Sequence, residues 1–159
     1  MLSFDVYGGD NNATPLIIAH GLFGSKKNWK SIAKRLESTD RKIIVVDMRN
    51  HGSSFWHNDH TFKSMAFDLA QVAKMFGFKA DFLGHSMGGK AAILLSQYFP
   101  ELINRLIVVD VAPVKYDLNI DKIINDLLSI NVNKVFRRED VLEQLLSLGH
   151  TESFSFFVF

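Results

Sequence analysis

Ala80-Asp-Phe-Leu-Gly84-His85-Ser86-Met87-Gly88-Gly89 decides how the rest of the chain is read. A short run closed by Gly84 precedes it, and Ala91, Ala92, Leu94, Leu95 and Tyr98 follow at helical spacing until Pro100 stops the pattern. The spacing predicts a buried strand, a sharp turn at Ser86 and a helix. Gly-x-Ser-x-Gly in that setting is a nucleophile elbow. The turn forces the serine into an unfavourable backbone conformation, and Gly84 and Gly88 leave no side chains to collide beside it. Ser86 Oγ then projects above the carboxyl end of a sheet, where a helix N-terminus favours developing negative charge. A bare string of this form also occurs where the serine only caps a helix, so the flanking strand and helix carry the reading.

Outward from the elbow, short apolar runs alternate with helical stretches. Strands are expected at Leu2 to Tyr7, Pro15 to Ala19, Ile43 to Asp47, Ala80 to Gly84 and Leu106 to Asp110. The last four are continuous apolar runs, which suits strands buried on both faces of a parallel sheet, whereas Leu2, Phe4 and Val6 alternate as an edge strand would. Trp29, Ile32, Ala33 and Leu36 form one helical stripe, with Ser25 placed to cap the turn before it. Phe62, Met65, Ala66, Leu69, Val72, Ala73 and Phe76 form a second, ended by Gly77. The expected fold class is α/β, a doubly wound, mostly parallel sheet with right-handed connections.

His20-Gly21-Leu22-Phe23-Gly24 follows the strand ending at Ala19. In an acyl-transfer site one oxyanion donor is the backbone N–H after the nucleophile, here Met87, and the other comes from an early strand-to-helix loop. Leu22 N–H is the first candidate for that second donor, with Phe23 behind it. Gly21 and Gly24 would let the loop approach a reacting carbonyl, or would simply make a tight turn. His20 is expected beneath the loop as a structural hydrogen-bonding residue rather than a base.

These residues resemble the α/β-hydrolase superfamily. The run His20-Gly-Leu-Phe-Gly-Ser25, then Asp47-Met-Arg-Asn-His-Gly-Ser53, then Gly84-His-Ser-Met-Gly-Gly-Lys90 and Val108-Val-Asp-Val-Ala-Pro113 is similar to the serine esterase group containing abhydrolase domain-containing protein 11 and its bacterial relatives. The resemblance covers the chain to about Pro113 and implies Ser86 as nucleophile and Asp110 as the acid of a triad, with Gly21, Gly84, His85 and Gly88 as structural support. Asp110 also reads as an ordinary strand-end residue that satisfies loop amides. Arg49, His51 and Ser53 are expected to brace the loop that follows Ile43 to Asp47.

After Asp110 the texture changes. Ile120, Ile123, Ile124, Leu127 and Leu128 form one amphipathic stripe and Val141, Leu142, Leu145 and Leu146 another, with Glu139 and Asp140 at the latter's N-terminus. The expected division is residues 1–113 as the N-terminal part of a hydrolase core, 114–150 as a helical cap and 151–159 as an atypical apolar tail; no Pro/Gly/Ser linker separates two domains. The resemblance places the triad histidine after a final strand that this chain does not reach, which suggests a truncated or alternatively ended form with Leu106 to Asp110 as an uncovered edge. His150, the one histidine after Asp110, is expected on a surface or loop.

The chain has 159 residues, 47% hydrophobic and 22% charged, enough for a real core. Its net charge of +1 argues against a nucleic-acid partner, and its lack of cysteine excludes disulfides, thiolate metal sites and cysteine nucleophiles. No apolar run approaches the roughly 18 residues of a membrane span, and no secretory signal opens the chain, so a soluble intracellular, cytoplasmic location is expected. Mitochondrial residence is implied only by the family's eukaryotic members. The leading expectation is a hydrolase of carboxylic esters or thioesters acting through an acyl-enzyme, inactive in this form if the histidine is lacking, with no cofactor or metal. Phe23, Met87, Leu118 and Ile120 are candidate walls of its acyl pocket. The alternative is a non-catalytic, hydrolase-like chain that binds an acyl ligand or a protein partner, of which the sequence names none. Dehalogenase or epoxide-hydrolase chemistry needs a carboxylate at the elbow, and Ser86 excludes it.

Overall fold

The computed structural model describes residues 1–9, 13–77, 79–114 and 120–152. Its strands are β1 (Phe4–Tyr7), β2 (Leu16–Ala19), β3 (Ile43–Val46), β4 (Ala80–His85) and β5 (Ile103–Val109). Its α-helices are α1 (Lys30–Leu36), α2 (Phe62–Met75), α3 (Met87–Tyr98), α4 (Ile120–Leu128) and α5 (Arg138–Ser147). The five strands form one sheet in the order β1-β3-β2-β4-β5, in which β1 is antiparallel to β3 and every other pairing is parallel. The chain divides into two compact units, Met1–Pro113 and Val114–Phe159.

In the first unit the alternation of strand side chains makes two cores. Ile17, Ala19, Ile44, Val46 and Phe82 face one side, where Met65, Ala66, Leu69, Val72 and Ala73 of α2 and Ala91, Ala92 and Leu95 of α3 cover them. Leu16, Ile18, Ile43 and Val45 face the other, where Ala33, Trp29 and Leu36 pack. Coverage on both faces is why β2 and β3 read as unbroken apolar runs. Asp81, a charged residue within buried β4, accepts hydrogen bonds from Arg41 Nη2 at 2.9 Å and Asn104 Nδ2 at 2.7 Å, so its carboxylate is satisfied.

Several expectations change. β5 starts earlier than Leu106 and is not buried on both faces, because it lies at the sheet edge, and its Ile107 is 46% exposed. At the opposite edge Val6, on the same face as Phe4, is 45% exposed, while Leu2 and Phe4 pack with the core. Ile32 is exposed, so the α1 stripe narrows to Trp29, Ala33 and Leu36. The turn before α1 is closed by a capping box of Ser25 and Asn28, in which Asn28 Oδ1 accepts the Ser25 N–H at 2.6 Å.

The second unit carries α4 and α5. Asp140 accepts the N–H groups of Phe136 and Arg137 at 2.8 and 2.9 Å, closing the N-terminus of α5. Val141 and Leu145 are buried, whereas Ile124, Leu128 and Leu146 are exposed, so both stripes are only partly covered. His150 is not a free surface residue: its Nε2 lies 2.9 Å from Asp126 Oδ2, which also takes Lys122 Nζ at 2.6 Å. Leu118, the side chain of Ile120 and the tail from residue 153 lie outside the described residues.

Candidate active site

β2 is the first of the inner strands, and the chain goes from it to β3 on one side and then returns to β4 on the other. Between β2 and β4 the order therefore reverses, and in open α/β sheets the crevice at the carboxyl ends of such strands is where ligands bind. Ala19 stands opposite Gly84 across this pair. The segments that continue from those two positions are His20 to Gly24 and His85 to Gly88, so the two sequence motifs meet at one point.

Ser86 has φ 49° and ψ −111°, between the end of β4 and the first residue of α3. This is a strained conformation for a residue with a side chain, and such strain persists only where the surroundings impose it. The glycines show how. A Cβ on Gly84 would stand 2.5 Å from the Gly88 carbonyl oxygen, and one on Gly88 would stand 2.5 Å from the Ala19 carbonyl oxygen. Both distances are closer than side-chain carbons come, so β4, α3 and β2 could not pack here with larger residues. Ser86 N–H also donates to the Val109 carbonyl at 3.0 Å, tying the elbow to the end of β5.

The second segment forms a tight turn, with Gly24 N–H donating to the Gly21 carbonyl at 3.0 Å and Phe23 at φ 62°. A Cβ on Gly21 would meet His85 Nδ1 at 2.9 Å and Ser86 Cβ at 3.3 Å, so the turn lies directly against the elbow. Among the described residues no protein acceptor takes the Leu22 or Met87 N–H. The Phe23 N–H is occupied: it donates to His51 Nε2 at 3.2 Å. Met87 is buried and Phe23 is 36% exposed.

His20 lies beneath the turn, as a structural residue would. Its Nε2 accepts the Met48 N–H at 3.0 Å, which leaves the ring proton on Nδ1, 2.7 Å from the Gly21 carbonyl. Burial drives its pKa down to about 4, with the Gly21 bond opposing and the nearby His51 assisting. The ring is therefore neutral at pH 7 and both its nitrogens are spent on backbone.

Asp110 follows β5 at φ 56°, at the same carboxyl edge as Ser86. Its carboxylate is 84% exposed and its Oδ2 lies 3.7 Å from His85 Nε2. His85 sits beside Trp29, ring centroids 6.2 Å apart. No histidine nitrogen bonds Ser86 Oγ among the described residues.

The loop after β3 is braced, but by more residues than Arg49, His51 and Ser53. Asp47 accepts the Lys26 N–H at 2.7 Å and the Ser53 N–H at 2.9 Å, which links this loop to the start of the 3-10 turn Lys26–Trp29. Arg49 Nε donates to Asp68 at 2.6 Å, a buried pair that anchors the loop to α2 and raises the Arg49 pKa. Asp47 and Asp68 escaped the sequence reading, although the Asp47-to-Ser53 run marked the loop; Asp68 sits on the buried side of α2, where an unpaired carboxylate would be costly.

The sequence profile described as alpha/beta hydrolase fold matches residues 14–144. The sn-1-specific diacylglycerol lipase ABHD11 of Danio rerio is 44% identical over 114 residues, covering 70% of this chain and 36% of that protein. Esterase YbfF of Escherichia coli is 42% identical over 107 residues, covering 67% of this chain and 42% of that protein. A solved structure titled Marine microorganism esterase superposes with a TM-score of 0.83 at 36% identity, covering 99% of this chain and 62% of that one. The chain spans well under half the length of these curated relatives. The profile match, the switch-point geometry and the strained serine agree, and the chain belongs to the α/β-hydrolase fold family, in the group that holds these esterases.

Proposed function

We propose that the chain is a serine hydrolase that cleaves carboxylic esters or thioesters through an acyl-enzyme, with Ser86 as nucleophile. One observation carries this reading: Ser86 is held in a strained turn at the N-terminus of α3, directly against the Gly21–Gly24 turn. Ser86 Oγ attacks the acyl carbonyl while a histidine takes its proton. The Met87 and Leu22 amides hold the oxyanion, each donor worth about 3 kcal/mol in the transition state. The C–O or C–S bond breaks, the alcohol or thiol leaves with the proton, and water activated by the histidine releases the acid. Asp110 orients that histidine. Phe23 serves as a wall beside the acyl group rather than as a donor, since its N–H is already engaged by His51.

Support for an ester substrate comes from the relatives named as lipase and esterase. A second reading, a non-catalytic chain that binds an acyl ligand or a partner, is favoured by one contact: His150, the histidine following Asp110, has its Nε2 engaged by Asp126.

Hydrolysis of a short p-nitrophenyl ester by the chain and by Ser86→Ala separates the two. Turnover that depends on Ser86 supports the hydrolase; in a comparable enzyme, loss of the serine costs about a million-fold in kcat. Equal rates from two folded samples would falsify it and leave binding as the function.

A further inference from the structure

The turn that carries Leu22 is held by a residue that the mechanism above does not use. Phe23 is in the left-handed region, which costs a bulky side chain of its type strain that a neighbour must offset. The neighbour is His51, whose Nε2 accepts the Phe23 N–H at 3.2 Å. His51 Nδ1 lies 2.9 Å from the Arg49 carbonyl. A peptide N–H can only donate and a carbonyl can only accept, so the ring must be neutral with its proton on Nδ1. The Arg49 end is itself fixed, because its guanidinium bonds Asp68 at 2.6 Å and the Asp59 carbonyl at 2.7 Å. The loop after β3 thus reaches Phe23 through this imidazole, while His20 to Met48 and Asp47 to Lys26 join the same two loops elsewhere.

We propose that His51 is a positioning residue for the oxyanion turn: in its neutral Nδ1–H form it holds Phe23 left-handed and so keeps the adjacent Leu22 amide beside Ser86. A proton on Nε2 removes the acceptor and releases the turn. The inference rests on the reading of Leu22 as an oxyanion donor. Other titratable and charged groups face the same ring: His20 from the end of β2, with centroids 5.1 Å apart, and His60, stacked at 5.8 Å. Arg49, Asp47 and Asp59 lie on the same loop. A rate profile alone would mix all of these, so the Phe23 amide is the informative reporter.

The test uses the full chain labelled with 15N at phenylalanine and histidine, beside His51→Gln and His51→Phe. Long-range 1H–15N spectra are expected to show the Nδ1–H tautomer at His51, and the Phe23 amide to be protected from exchange. In His51→Gln the side-chain oxygen replaces Nε2, so the Phe23 amide stays protected from exchange. In His51→Phe its exchange accelerates by about tenfold or more. Ser86-dependent kcat falls about a hundredfold in His51→Phe with little change in KM, and returns in His51→Gln. A Phe23 amide that behaves alike in all three proteins overturns the proposal, whatever the activity does. Turnover that ignores Ser86 strikes the hydrolase reading instead, and leaves the amide data to decide whether His51 holds the turn.

Discussion

Three of the non-glycine residues with positive φ, Phe23, Ser86 and Asp110, stand at the carboxyl end of the sheet, and a fourth, Asn50, precedes His51. Asparagine and aspartate tolerate that region, whereas phenylalanine and serine must be held there by neighbours. Beside them, His20 and His51 are spent on backbone groups. His20 makes this measurable, because its pKa of about 4 in the folded chain lies below the ordinary value near 6.5. The unfolded chain takes up a proton in that interval which the folded chain refuses, since burial disfavours the charged ring. Stability is therefore full above about pH 6.5 and falls as pH drops toward 4, by up to roughly 3 kcal/mol. Urea unfolding at about pH 7 and about pH 4.5 reads the loss, and His20→Gln should flatten it. An unchanged slope in that variant would assign the proton elsewhere.

At the scale of elements, burial separates positions that look alike in sequence. Ile18 of β2 is fully buried under α1, and Ile32 of α1 is 42% exposed. Ile18→Ala is expected to cost about 2 to 5 kcal/mol by transfer and cavity, and Ile32→Ala less than about 1 kcal/mol. Equal shifts in urea midpoint would contradict the two-sided packing of β2. The strands β2 and β3 were legible because coverage on both faces writes unbroken apolar runs, and β4, despite its buried Asp81, was legible with the elbow it leads into, whose glycines admit no substitute. β5 was misjudged at its start because an edge strand tolerates Asn104 and Arg105, and Asn104 is used there to satisfy Asp81. The hold of His51 on Phe23 was not legible at all. It joins two loops distant in sequence, and the tautomer that permits it depends on a backbone carbonyl rather than on any pattern of side chains.

For the molecule as a whole, none of the helices in the described residues is long and apolar enough to cross a membrane. The family match runs from residue 14 to residue 144 and so reaches into both compact units. Within the first unit, the pairing of β2 with β4 joins Ala19 to Gly84, although all of β3 and α2 lies between them in sequence. Such a closure is entropically late, because the loop it closes is long, and mixed α/β domains fold more slowly than helical bundles, on the order of milliseconds. Trp29 reports on it, since its ring meets His85 of β4 only once that pairing exists. With the exposed Trp56 replaced by phenylalanine, stopped-flow refolding should show Trp29 emission reaching its final value in the slowest phase; completion in a fast phase would refute this order. The elbow and the turn opposite it are then brought together by the last event of folding rather than the first. A chain that has made its helices but not that strand pair holds every residue named above and still has no place for a substrate.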